Sequence, residues 1–123
     1  MVTAGTLPTT SYPTNASSET TFAGSTSGYG IPTTIIIDGV TFHGGIIEIK
    51  NLDIVNGGDL EWSVDSMASV NGTNLVREKD TNPVPNGGYD SFPLDGRMRS
   101  KYVITLTSVG IPTAYEIEAI RGV

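Results

Sequence analysis

Apolar and polar residues alternate with a period of two through much of this chain. Nowhere do apolar residues hold the i, i+3, i+4, i+7 spacing of a helix over three turns. The cleanest alternation sets Leu60, Trp62 and Val64 against Glu61, Ser63 and Asp65. It predicts a half-buried strand with Trp62, the only Trp, as a core anchor. Residues 33–37 are β-branched throughout and read as another strand. Asp38-Gly39 follows, then Val40-Thr41-Phe42, and an Asp-Gly pair between two such runs predicts a tight hairpin. In residues 46–55 the apolar set Ile47, Ile49 slips phase to Leu52, Ile54, which predicts a bulge or bend near Lys50-Asn51. Asn56-Gly57-Gly58 reads as a turn, and Asn71-Gly72 as a second hairpin turn between residues 67–70 and 73–77.

The C-terminal third reads as a long loop followed by two strands. Residues 78–96 hold three prolines and only scattered apolar side chains, so they predict a loop into which Tyr89, Phe92 and Leu94 tuck back. In residues 97–108, Met98, Tyr102, Ile104 and Leu106 share one face, and Arg97, Arg99, Lys101, Val103, Thr105 and Thr107 the other. In residues 113–120, Tyr115, Ile117 and Ala119 oppose Glu116 and Glu118. A turn centred on Gly110-Ile111 sets Leu106 against Tyr115, Ile104 against Ile117 and Tyr102 against Ala119, so these strands are expected to pair as a hairpin. Gly-Ile-Pro-Thr occurs at residues 30–33 and again at 110–113, each time just before a strand, where proline breaks no ladder. The expected fold is all-β: about seven short strands in a small antiparallel β-sandwich, Ig-like or jelly-roll-like.

Composition divides the chain before that sandwich begins. From Val2 to Ile37 the sole side chain charged at neutral pH is Glu19. Residues 2–30 are mostly Thr, Ser, Gly, Ala and Pro, too poor in apolar surface to offset the entropy of ordering alone. The expected organisation is a long extended N-terminal arm over residues 1–30 and a β-sandwich domain over 31–123. The arm is expected to order only on a partner, anchored at Leu7, Tyr12, Phe22 and Tyr29.

Charge and chemistry narrow the function classes. The net charge of −6 argues against a nucleic-acid partner held through phosphates. There is no Cys, hence no disulfide and no thiolate zinc site. Residues 1–10 have neither a basic nor an apolar stretch, so they are not expected to be a secretory signal, and no run is long enough to span a membrane. His43, the only His, lies at a strand end without a nucleophile motif and reads as a turn or surface residue. Asp53, Asp59, Glu61 and Asp65 lack the spacing of a calcium loop and read as surface charge. The glycine pairs lack the strand–glycine–helix context of a phosphate cradle. Arg97, Arg99 and Lys101 read as an exposed face balanced by Glu116 and Glu118. No catalytic, cofactor-binding or metal-binding residues are expected, and no enzyme.

An uncharged Thr/Ser/Gly/Pro arm ahead of a small, acidic, Cys-free β domain resembles the layout of a bacteriophage virion accessory protein, such as a capsid decoration (cement) or head/tail structural protein. The resemblance implies a non-enzymatic structural protein of a virion, made in the host cytoplasm. Its arm would attach it to other virion structural subunits and to copies of itself in a large symmetric assembly, with no nucleic acid and no membrane as partner. The alternative is an extracellular carbohydrate- or receptor-binding β-sandwich, with Tyr89 and Phe92 of the long loop as stacking platforms.

Overall fold

The computed structural model describes residues 16–54, 58–68 and 75–122, which form eight strands and, among the described residues, no helix. The strands are β1 (Thr21–Ser25), β2 (Thr33–Asp38), β3 (Ile46–Asn51), β4 (Leu60–Met67), β5 (Val76–Val84), β6 (Tyr89–Pro93), β7 (Lys101–Ser108) and β8 (Ala114–Ile120). They build two four-stranded antiparallel sheets, ordered β1-β8-β3-β6 and β2-β7-β4-β5.

The order follows from one long antiparallel ribbon. β4 pairs with β5, β3 with β6, β2 with β7 and β1 with β8. Rolling the ribbon on itself adds the β3–β8 and β4–β7 pairings that complete the sheets. The result is a β-sandwich of the jelly-roll kind. Every connection except β4–β5 passes from one sheet to the other.

Period-two alternation fills the space between the sheets. Ile35 and Ile37 of β2, Ile47 and Ile49 of β3, and Leu60, Trp62 and Val64 of β4 are buried there. Tyr102, Ile104 and Leu106 of β7 face Tyr115, Ile117 and Ala119 of β8 across the same core. Phe42 and Leu94 close one end, and half-buried Phe22 and Phe92 pack against the core from β1 and β6, the two edges of one sheet. Each fully buried large side chain contributes about 1.5–3 kcal/mol. Trp62 has no exposure, as its alternation predicts.

Several expectations are corrected. The β7–β8 hairpin does not form: the two strands bury the expected faces, but from opposite sheets. Alternation decides which face is buried and leaves the neighbouring strand open. The Asp38-Gly39 hairpin is absent as well. The Asp38 carboxylate accepts bonds from Val40 N–H (2.9 Å) and Thr41 Oγ1 (2.8 Å), and this turn carries the chain across to the other sheet. Burial alone would raise the Asp38 carboxyl, but the Thr41 and Val40 bonds outweigh it and hold it below the usual range. β3 ends at Asn51 instead of bulging, so Leu52 and Ile54 are exposed.

Residues 78–96 are not one loop but hold most of β5 and all of β6. Both are edge strands, whose polar, proline-bearing sequences follow from having one neighbour and exposed side chains. β1 comes from the stretch expected to be an arm. Its pairing with β8 and the Phe22–core contact make it a strand of the sandwich, where the expected boundary at residue 31 would leave it outside. Asn71-Gly72 and Asn56-Gly57 lie outside the described residues, as do Leu7 and Tyr12 of the arm.

Candidate functional site

The ribbon gathers the β1–β2, β3–β4, β5–β6 and β7–β8 connections at one end of the sandwich. Eleven large apolar side chains are exposed among the described residues, and seven of them lie at this end. They are Tyr29 and Ile31, Leu52 and Ile54, Tyr89, and Val109 and Ile111. The remaining four, Val40, Val76, Met98 and Ile120, are spread over the opposite end.

A buried polar layer holds these loops from below. Asn51, 2% exposed, donates through Nδ2 to the Gly58 (3.1 Å) and Val84 (3.0 Å) carbonyls. Thr26 Oγ1 donates to Ser108 Oγ at 2.7 Å and accepts from Thr113 N–H at 3.0 Å. Thr113 Oγ1 accepts from Gly58 N–H (3.0 Å), and Asp53 Oδ2 from Ala114 N–H (2.7 Å). Each bond satisfies a buried or part-buried group at this end. The loops are therefore a fixed platform.

The two Gly-Ile-Pro-Thr copies meet here, because the β1–β2 and β7–β8 arches cross between the sheets as neighbouring arms of the ribbon. Tyr29 N–H donates to the Gly110 carbonyl and Gly30 N–H to that of Ser108. The approach is close enough that a Cβ on Gly28 would lie 2.8 Å from Pro112 N. Residues 28, 29 and 30 all have positive φ, and Tyr29 at +56° is the one non-glycine residue so placed among the described residues. That backbone costs a tyrosine about 1–2 kcal/mol. It presents the ring outward, 75% exposed. A strained residue that displays an aromatic ring is the kind of outlier that points to function.

The anticipated partner-binding residues therefore separate. Tyr29 and Tyr89 are brought to the same end and are both exposed. Phe22 and Phe92 are half-buried against the core at opposite sheet edges. Sequence reading missed Ile31, Leu52, Ile54, Val109 and Ile111. The signal for Leu52 and Ile54 was their slip of phase from Ile47 and Ile49.

The charged groups are mostly structural. The basic residues ahead of and within β7 do not face Glu116 and Glu118, which lie in the other sheet. Arg99, buried, pairs with Glu78 at 3.5 Å, and Lys101 is buried. Glu116 pairs with Lys50 at 3.8 Å. Asp65, its side chain 14% exposed, pairs with Arg77 at 2.8 Å. Asp90 joins the two sheets at their β5/β6 margin. Its Oδ2 accepts from Trp62 Nε1 at 2.8 Å and Asn82 Nδ2 at 3.1 Å, with Lys79 Nζ at 3.4 Å. Burial alone would raise the Asp90 carboxyl, but the Trp62, Ser91 and Asn82 bonds and the Lys79 charge outweigh it and hold it below the usual range. Among the described residues, no three His, Asp or Glu side chains gather to hold a metal.

No protein-family model matches the sequence, and no curated protein does. Solved structures share the architecture. The crystal structure of PirA matches with a TM-score of 0.60 at 10% identity, over 81% of this chain and 93% of that one. The crystal structure of the Yersinia pseudotuberculosis-derived mitogen (YPM) matches with a TM-score of 0.56 at 14% identity, over 82% of this chain and 83% of that one. At such identities the likeness is one of fold.

Proposed function

We propose that this protein is a non-enzymatic binding module that docks on a protein subunit through its apolar loop end, in the structural role expected of a virion accessory protein. The observation that carries the reading is the gathering of seven exposed apolar side chains on a hydrogen-bonded platform at one end, Tyr29 on strained backbone among them. Exposed apolar groups collected in this way mark interaction surfaces in soluble proteins. Jelly rolls serve capsid proteins and lectins alike, so the fold favours neither reading. The virion role rests on the layout of the chain. Many copies in a symmetric assembly would make weak single contacts sufficient.

The test is a variant in which Tyr29, Ile54 and Val109 are replaced by Ser. These side chains are exposed, so the fold should survive with a change of about 0.5 kcal/mol or less per site. Incorporation into the native assembly should fall sharply. Normal incorporation of a folded variant would refute the reading. A second reading, glycan or receptor binding, is favoured by one observation: the Tyr29 and Tyr89 rings are exposed at the same end. It requires saturable glycan binding by the isolated protein, lost on Tyr89→Ala.

A further inference from the structure

Each sheet has two edges, and three of the four edges in this sandwich are protected. β5 carries Arg77, Glu78, Lys79, Asp80 and Pro83. β6 carries Asp90 and Pro93. The edge of β2 is covered by its own chain: Ser17 N–H donates to the Ile36 carbonyl at 3.2 Å, and Asp38 N–H to the Ser17 carbonyl at 3.0 Å. β1 has none of these devices. Its sequence is Thr-Phe-Ala-Gly-Ser, without charge or proline, and its register against β8 is regular. Among the described residues no strand covers its outer side. Charge, proline, bulges and covering segments are how proteins keep strand edges from pairing with other chains.

The backbone shows which groups are free to pair. Ala119 N–H donates to the Thr20 carbonyl and Thr26 N–H to that of Thr113, so the even residues of this strand bond to β8. In an antiparallel ladder the alternate residues point the other way. Thr21, Ala23 and Ser25 therefore present their N–H and C=O groups outward, and all three are exposed. This set is symmetric about Ala23. A second β1 running antiparallel, with the twofold axis at Ala23, pairs 23 with 23 and 21 with 25. Every outward group is then matched, for about six hydrogen bonds.

Side chains agree with that register. Phe22, only half-buried in the single chain, comes opposite Gly24 of the copy, which has no side chain to oppose it. The Tyr115 ring lies over Gly24, where a Cβ would sit 3.1 Å from its hydroxyl, and gives the incoming Phe22 an aromatic neighbour. The side chains meeting on the outer face are Thr, Ala and Ser. Glu19, two residues before β1, falls at opposite ends of the paired strands in the two copies, and the carboxylates of β8, Glu116 and Glu118, are one strand further in. Across the joined edges their counterparts lie three strand spacings away, about 14 Å. That exceeds the screening length of about 8 Å at physiological salt, so the net charge of −6 does not oppose the contact locally.

We propose that the β1 edge is a self-association site. Two copies pair antiparallel through Thr21, Ala23 and Ser25 about a twofold axis at Ala23, joining two four-stranded sheets into one of eight. The contact is narrow, well under the roughly 1,200 Å² of a standard interface, so the dimer is weak and counts where many copies are held together. It uses the side of the sandwich and leaves the apolar loop end free.

The chain contains no Cys, so single-cysteine variants of the full chain read the register directly. In the paired edge the two Ala23 Cα atoms are about 5.5 Å apart, within disulfide reach. The two Ser25 Cα atoms are about 14 Å apart, outside it. Under mild oxidation at high protein concentration, Ala23→Cys should give disulfide-linked dimer at least about tenfold faster than Ser25→Cys. Adding Thr21→Pro to Ala23→Cys removes an outward N–H without touching the β8 ladder, and should abolish the dimer while the circular dichroism spectrum and melting stay unchanged. Equal yields at 23 and 25, no dimer at 23, or a dimer that survives Thr21→Pro in a folded protein would each overturn the proposal. So would a disulfide dimer of the Ala23→Cys variant that forms only after residues 1–15 are removed, which would assign the edge to the chain's own N-terminus.

Discussion

Replacing Trp62 by Phe tests the link that joins the two sheets at their β5/β6 margin. Trp62 belongs to β4, Lys79 and Asn82 to β5, and Asp90 to β6 in the opposite sheet. The phenyl ring keeps most of the apolar bulk and loses the Nε1–H that donates to Asp90 Oδ2 at 2.8 Å. A hydrogen bond to a charged acceptor contributes about 1.5–3 kcal/mol, and the volume removed from a fully buried site adds about 1 kcal/mol. Lys79 Nζ, 4.7 Å from the Trp62 ring centroid, adds a cation–π contribution of about 0.5–1 kcal/mol. Trp62→Phe should therefore destabilise by about 3–4 kcal/mol. Asp90→Asn keeps an acceptor oxygen and should cost about 1–2 kcal/mol. The double variant should be less destabilised than the sum, by about 1–2 kcal/mol, because Asp90→Asn weakens the bond that Trp62→Phe removes. Urea unfolding followed by far-UV circular dichroism measures all four proteins, since the variant lacks the only Trp. Additivity within about 0.5 kcal/mol would show that the charge on the acceptor adds nothing to this bond.

Acid should weaken the protein. Asp90 and Asp38 are held below their unfolded pKa, so their contribution is complete above about pH 4 and is lost as pH falls through the folded values. Melting between pH 5 and 2 should show a shallower loss for Asp90→Asn. A charge at Ile104 or Ile117, both without exposure, should prevent folding, whereas Thr105→Asp on the outer face should be tolerated, as read by circular dichroism. Gly45→Ala should destabilise by about 2–3 kcal/mol or more in urea titration, because its Cβ would fall on the Ile120 carbonyl oxygen.

The fold class and the core were legible because alternation marks buried faces. Leu60-Trp62-Val64 and Ile104-Leu106 each lie where the pattern puts them. Strand neighbours were not legible. The expected β7–β8 hairpin satisfied both apolar faces, yet the same faces are satisfied when the strands lie in opposite sheets. The pairings that distinguish the two, β8 with β1 and β3 and β7 with β2 and β4, join residues about 35 to 95 apart in sequence, and local spacing carries no trace of them. Most of β5 and all of β6 fall in the stretch whose sequence reads as loop, because edge strands need no buried face. At the loop end, the slip from Ile49 to Leu52 was visible but admits two readings, a bulge that keeps the apolar pair inside or a strand end that releases it. Tyr29 and Tyr89 stood out as isolated aromatics. Their shared location depends on the ribbon and could not be read locally.

The claim that the loop end is the docking surface is tested most directly by site-specific photo-crosslinking in the producing cell. A benzophenone amino acid replaces Tyr29 or Tyr89 at the apolar end, and Met98 or Val76 at the opposite end, and the products are identified by mass spectrometry. Cross-links from positions 29 and 89 to one and the same protein species, with none from 98 and 76, are expected. Cross-linking to that species from the opposite end, or none from positions 29 and 89 in a folded, assembled protein, would contradict the account.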